Sequence, residues 1–209
     1  MTTIAIIGTG NMGKGLARRL AGRVDLVLGS GNGASAAAFA ATLPAEVPVR
    51  SPQEAAAQAD IVVLALPFAA ALEFARQSDL AGKVVVDITN PLKPDFSGLT
   101  IGHTTSAAEQ LQEAAPEARV VKAYNTIFAT LFDRPAAETA ELPVFLAGND
   151  DAAVARVEAL VTQSGFAVEK VGGLEGARLV EPLGMLNIRF GYGLGQGTAI
   201  APSWVKLAS

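Results

Sequence analysis

A chain of 209 residues, half of them hydrophobic and 17% charged, is long enough for one large core and suits a single α/β domain with at most a short appendage. The net charge of −4 argues against nucleic acid or an anionic membrane as partner. The lack of cysteine excludes disulfides, iron–sulfur clusters and thiol catalysis, and one histidine leaves no protein-built zinc site.

The first element is the most telling. Residues 3–7 form an apolar, β-branched run that stops at Gly8-Thr9-Gly10-Asn11-Met12-Gly13, and a helix is expected at once over 11–21. This is a strand, a turn and a helix carrying G-x-G-x-x-G, the arrangement that sets a pyrophosphate on a helix N-terminus. Gly8 permits the tight turn, Gly10 lets the backbone approach the phosphates, and Gly13 lets the helix pack close to the strand.

The second strand, 24–29, bears on which dinucleotide is bound. An NAD site carries an acidic residue at the end of this strand for the ribose 2′-hydroxyl. Here the strand runs into Gly29-Ser30-Gly31-Asn32-Gly33-Ala34-Ser35, and Asp25 lies at its wrong end. A 2′-phosphate meets no carboxylate there, and Ser30, Asn32, Ser35 and the glycine N–H groups can form an anion nest. NADP is therefore favoured over NAD. The competing reading of Asn32 and Ser35 is a plain surface loop.

Further strands are expected at 47–50, 61–66, 83–88, 119–123, 143–147 and 166–171, and helices at 33–43, 52–58, 69–78, 105–114, 150–164 and 176–190. Most strands are continuous apolar runs alternating with helices, which predicts a doubly wound, mostly parallel α/β sheet of the Rossmann type with a short C-terminal helical appendage. Ser106 and Glu109 have capping-box spacing, and Asn149-Asp150-Asp151 marks another helix start. We divide the chain into a dinucleotide-binding domain, 1–175, and a C-terminal helix and tail, 176–209, packed on that domain or on a second subunit. No export signal is visible. The longest apolar stretch, 61–72, is broken by Pro67 and is too short to cross a bilayer. The expected location is the cytoplasm.

Ligands of open α/β sheets bind beyond the carboxyl ends of the strands, so the residues there are the candidates. They are Gly8 to Met12 and Gly13 after the first strand, Leu66-Pro67-Phe68 after the fourth, Asn90-Pro91 after the fifth and Asn125 after the sixth. Asn90 and Asn125 each offer a donor and an acceptor to a carboxamide or planar heterocycle. Pro67 and Pro91 stiffen the rim. His103, in a glycine-flanked loop, is expected to be solvated. Lys122 is expected to carry its amine out to the strand end.

The phrases at 7–17, 65–68 (Ala-Leu-Pro-Phe), 87–92 (Asp-Ile-Thr-Asn-Pro-Leu), 121–126 (Val-Lys-Ala-Tyr-Asn-Thr), 177–181 and 186–191 resemble the NADP-dependent coenzyme F420 reductase family. The same module is similar to the cytoplasmic oxidoreductase domain of the membrane-bound metalloreductases. The resemblance implies an oxidoreductase passing a hydride between NADPH and a flavin-like acceptor such as coenzyme F420. It implies that Thr9, Gly10, Asn11 and Met12 wrap the pyrophosphate, that Ser30 holds the 2′-phosphate, and that Leu66, Pro67 and Phe68 line the nicotinamide ribose with Asn90 and Pro91 nearby. Residues 125–129 and the tail around Trp204 to Leu207 would face the second cofactor, with Asn125 and Pro91 in positioning roles. The family usually follows that serine with arginine, where this chain has Gly31.

Hydride transfer between stacked rings needs alignment and exclusion of water more than acid–base groups, so no side chain is singled out as a certain catalyst. Other readings remain open. Pyrroline or imine reductases and β-hydroxyacid dehydrogenases share Gly-Asn-Met-Gly but need a large helical second domain, and the dehydrogenases also need a lysine absent from the helix after Gly176. A flavin or ferric reductase and an NADP-binding sensor are further alternatives. The last helix is apolar nearly all round and rich in glycine, which predicts burial on more than one side and a homodimer.

Overall fold

In the computed structural model, residues 2–205 are described. The chain alternates β1 (Thr3–Ile7), α1 (Asn11–Leu20), β2 (Asp25–Gly29), α2 (Gly33–Ala40), β3 (Val49–Arg50), α3 (Pro52–Gln58), β4 (Ile61–Leu64), α4 (Phe68–Gln77) and β5 (Val84–Asp87). It continues with α5 (Ala107–Ala114), β6 (Arg119–Lys122), α6 (Ala136–Thr139), β7 (Pro143–Gly148), α7 (Asp151–Gln163), β8 (Ala167–Lys170) and α8 (Ala177–Ile188). The eight strands form one sheet in the order β3-β2-β1-β4-β5-β6-β7-β8, and its first six places are the Rossmann order.

Pairing is parallel from β3 through β6. β7 then runs antiparallel to β6, with Lys122 opposite Ala147, while β8 is parallel to β7. The reason lies in the connection. Between β6 and β7 the chain makes a 3-10 turn (Ala129–Asp133) and the single turn of α6, and no long helix carries it back across the sheet, as a parallel return requires. The sequence reading did not anticipate these two short elements.

Alternate strand residues feed two cores. Ile4, Ile6, Leu26 and Leu28 face α1 and α7 with Leu16, Leu20, Val157 and Leu160. Ala5, Ile7, Val62 and Leu64 face α3, α4 and α5 with Ala55, Ala71, Phe74 and Leu111. Strands buried on both faces are why the runs are apolar throughout. Burial of a side chain such as Leu16 or Leu64 contributes about 2 kcal/mol.

Helix starts follow their local chemistry. The Asp150 carboxylate accepts the Ala153 N–H at 2.7 Å to open α7. Ser106 accepts the Glu109 N–H at 3.1 Å to open α5. Ser51 and Glu54 form a reciprocal capping box before α3, a signal the sequence carries in Ser-Pro-Gln-Glu.

The C-terminal helix departs from expectation. Its buried face holds Val180, Glu181, Gly184 and Asn187, whereas Leu179 and Leu186 are 72% and 46% exposed. Within the chain it is buried on one side. The polar groups on that side face in because each finds a partner at the strand ends. Its glycines serve contacts inside the chain: a Cβ on Gly184 would strike Asn90 and Asn125, and one on Gly191 would strike the Phe128 ring.

Candidate functional site

The site begins where the strand order reverses, between β1 and β4. Gly8 leaves β1 at φ 103°, a left-handed backbone that favours glycine. A Cβ there would collide with the Ala65 carbonyl oxygen, and a Cβ on Gly13 would collide with the Gly8 carbonyl oxygen. These glycines let strand, turn and helix interlock. Gly10 differs: nothing lies within 4 Å of where its Cβ would be. Its open side leaves the backbone accessible. Gly10 also caps α1 without any side-chain hydrogen bond, and the first turn of α1 has no acidic residue. The N–H groups of that turn and the positive end of the helix dipole are thus left for an anion.

Around this turn the hydroxyls of Thr9 and Ser30 lie 3.1 Å apart. The Asn32 N–H donates to Ser30 Oγ at 3.2 Å. The Asn32 side chain accepts the Ser35 N–H at 3.0 Å and caps α2. Ser30 therefore keeps a half-exposed hydroxyl at the mouth, whereas Asn32 Oδ1 and the Ser35 N–H already satisfy each other. Gly31 and Gly33 have open space where a side chain would stand. Beside them opens a cleft of about 380 Å³ lined by Gly8, Gly29, Ser30, Pro52, Gln53 and Leu66. Pro67 and Phe68 begin α4 on the rim, with Pro67 exposed and Phe68 half-buried.

Deeper in, β5 and β6 meet α8. The Asn90 amide donates to the Asn125 carbonyl at 2.7 Å. The Asn125 amide donates to Asn90 Oδ1 at 3.1 Å and to the Val180 carbonyl at 2.7 Å. Asn187 donates to the Thr126 carbonyl at 3.0 Å. The structure thus brings Asn90 and Asn125 together, and residues 125–128 are buried. Asn125 Oδ1 and the Thr126 and Thr89 hydroxyls are buried without a partner, which is costly unless a ligand or water supplies one. Pro91 is buried behind Asn90. Of the tail, Trp204 and Val205 are exposed, while Lys206 and Leu207 lie outside the described residues.

One constellation escaped the sequence reading. Lys122 is fully buried, so its amine does not run out to solvent. It lies 2.8 Å from Asp87, 2.8 Å from Glu181 and 2.6 Å from the Thr89 carbonyl. Two carboxylates thus share one ammonium, an arrangement worth its desolvation cost only with good geometry and further hydrogen bonds. Those are present: Glu181 also accepts the N–H groups of Ala107 and Ala108 at 3.0 and 3.3 Å, and Asp87 accepts that of Thr89 at 2.8 Å. Burial pushes the Glu181 carboxyl above its ordinary range, and Lys122 opposes this. The only sequence signal was a lysine inside an apolar strand. Its partners sit 35 and 59 residues away, beyond any local pattern.

Next to it, Tyr124 holds a left-handed backbone at φ 54°, a strained conformation for a bulky residue. The strain is offset by complete burial and by a 2.9 Å hydrogen bond between its hydroxyl and that of Ser164. The bend delivers Asn125 to α8. His103 is exposed, beside a small cavity it shares with Arg178 and Glu181. No group of metal-ligating side chains occurs among the described residues, and no helix among them is long and apolar enough to cross a membrane.

The family description "NADP oxidoreductase coenzyme F420-dependent" matches residues 3–91. The chain is 32% identical to the F420-dependent NADP reductase of Methanocaldococcus jannaschii, over 88% of this chain and 90% of that protein. It is 30% identical to the Metalloreductase STEAP3 of Rattus norvegicus, over 86% of this chain but 36% of that protein. The solved structure of a putative F420-dependent NADP reductase from Arthrobacter sp. FB24 superposes with a TM-score of 0.81 at 34% identity, covering 95% and 97% of the two chains. With the glycine turn at the switch point, the open side of Gly10 and a likeness running the length of the chain, this protein belongs to the family of F420-dependent NADP oxidoreductases.

Proposed function

We propose that this oxidoreductase transfers a hydride between NADPH and a deazaflavin such as coenzyme F420. The observation that carries the dinucleotide half is the uncapped start of α1 against the open side of Gly10. The N–H groups of Asn11, Met12 and Gly13 hold the pyrophosphate, with Thr9 beside it. Ser30 takes the 2′-phosphate. Leu66, Pro67 and Phe68 bound the ribose of the nicotinamide. Asn32 shapes this loop through its cap on α2 rather than by contact. When bound, the dinucleotide supplies the hydride at its nicotinamide ring. Asn90 and Asn125, tied to each other and to α8, form a fixed wall against which that ring is oriented. Alignment of this kind is worth about 7–11 kcal/mol of a barrier.

The acceptor half rests on the relatives' names and on the strand ends, where the ionisable Asp87, Lys122 and Glu181 are buried. Purified protein, NADPH and oxidised F420 mixed anaerobically should bleach the deazaflavin's visible band, and NADH should do so far more slowly. Absence of bleaching with NADPH tightly bound moves the acceptor to a flavin or ferric chelate, or leaves a binding protein without turnover. We place the reaction in the cytoplasm, in keeping with a dinucleotide co-substrate. The exposed Leu179, Leu186, Tyr192 and Leu194 gather along α8 and the turn after it, and such a patch favours a partner. We assign it to a second copy of this chain, which light scattering at micromolar concentration tests: a monomeric mass overturns the homodimer.

A further inference from the structure

The loop after β2 offers no cation for a 2′-phosphate, since Gly31 contributes only open space. A different strand offers one. Arg50 is the last residue of β3, the edge strand, and stands in register opposite Gly29. The Ser30 N–H donates to the Arg50 carbonyl at 3.1 Å, so the two residues are joined backbone to backbone. Neighbouring strands lie about 4.8 Å apart, a spacing well within the reach of an arginine side chain. The residues that follow, Pro52 and Gln53, line the same cleft as Gly29, Ser30 and Gly31.

The Arg50 guanidinium is also without a carboxylate ion-pair partner among the described residues. It is exposed, and its hydrogen bond goes to the carbonyl of Val49 at 2.9 Å. Glu54 feels its charge, but that carboxylate is held by the Ser51 N–H and hydroxyl at 3.0 and 2.7 Å. An exposed guanidinium without a carboxylate partner, one strand from a half-exposed serine hydroxyl, is within reach of a phosphate monoester held at that hydroxyl, which arginine binds through paired N–H groups.

We infer that Arg50 is the specificity-determining cation for the 2′-phosphate, doing from β3 what a side chain at position 31 would do from the loop. This rests on the dinucleotide reading of the site. The phosphate takes its hydrogen bonds from Ser30 and its charge partner from Arg50. NADH, which lacks that phosphate, gains nothing from Arg50.

The test is fluorescence titration of NADPH and NADH into the full-length protein, Arg50→Ala, Gly31→Arg and the double variant. Arg50→Ala should weaken NADPH at least about tenfold and change NADH by less than about twofold, with the difference shrinking at high salt. In the Gly31→Arg background the same substitution should weaken NADPH by less than about threefold, because the new guanidinium takes over. Equal weakening of both nucleotides would assign Arg50 to packing or local folding and overturn the inference, as would an unchanged NADPH affinity. A parent protein that prefers NADPH while ignoring Arg50 sinks the inference alone. A parent that binds neither nucleotide sinks the dinucleotide reading with it.

Discussion

Arg19 and Lys122 are both buried cations at the heart of the molecule, yet they are solvated in opposite ways. The Arg19 guanidinium, on α1, donates to the carbonyls of Leu131, Phe132, Arg134 and Ser164 and to the Thr139 hydroxyl at 2.7 to 3.2 Å. Every one of these acceptors is neutral. Lys122 instead sits between two carboxylates and one carbonyl. The first arrangement ends free carbonyls of the irregular 129–139 stretch and staples it to α1. The second joins β5, β6 and α8 three residues before Asn90 and Asn125, so its integrity sets the geometry of the strand ends as well as the fold. A cation surrounded by dipoles holds a loop; a cation shared by carboxylates from separate elements makes their assembly depend on charge balance.

The difference between the two cations is largest when Lys122 is replaced. Lys122→Met leaves Asp87 and Glu181 buried together without a cation, and should cost roughly 3–5 kcal/mol in urea unfolding. The deficit should shrink in acid, where the orphaned Glu181 carboxyl, already raised by burial, takes up a proton. A loss under about 1 kcal/mol would mean that the cluster behaves like a surface pair.

Arg19→Met should cost less, roughly 2–3 kcal/mol, since it strands carbonyls rather than charges. Its deficit should be the same at pH 5 and pH 8, because none of its acceptors titrates. A pH-dependent deficit would erase the distinction between the two sites.

Glu181→Gln sharpens the contrast with the smallest effect. Burial raises the folded-state pKa of this carboxyl, so the folded chain holds the proton more tightly than the unfolded one. Its contribution is full below the ordinary carboxylate range and is lost as pH rises through the raised value. Stability measured by denaturation from pH 4 upward should fall more steeply in the parent than in Glu181→Gln, and parallel curves would refute the assignment. In the same variant the NADPH affinity reports whether α8 still presses Asn125 into place.

Much of this was legible in the chain itself. The run from Ile4 to Gly13 specified strand, turn and helix because each glycine position has a local steric reason, and Gly8 and Gly13 met those reasons in the fold. The continuous apolar runs at 61–64 and 84–86 announced strands covered on both faces. Helix starts at Ser106 and Asp150 were readable because capping is a matter of three residues. The face of α8 was not readable. Counting apolar residues around it suggested burial on several sides, whereas Glu181 and Asn187 turn inward and Leu179 and Leu186 outward, because the polar groups have partners that only the assembled strand ends provide. The stretch at 129–139 is held likewise by Arg19, a residue more than 110 positions before the carbonyls it binds.

The sequence by itself determined the alternation of elements, the glycine turn after β1 and the absence of an acid at the end of β2, since all of these are written in contiguous residues governed by local sterics and hydrophobic burial. Tertiary structure alone decided that Lys122 lies between Asp87 and Glu181, that α8 locks Asn90 to Asn125, and that Arg50 stands beside Ser30. These are pairings across strand spacings of about 5 Å between residues distant in the chain, and charge and hydrogen bonding act through space, where sequence separation carries no weight.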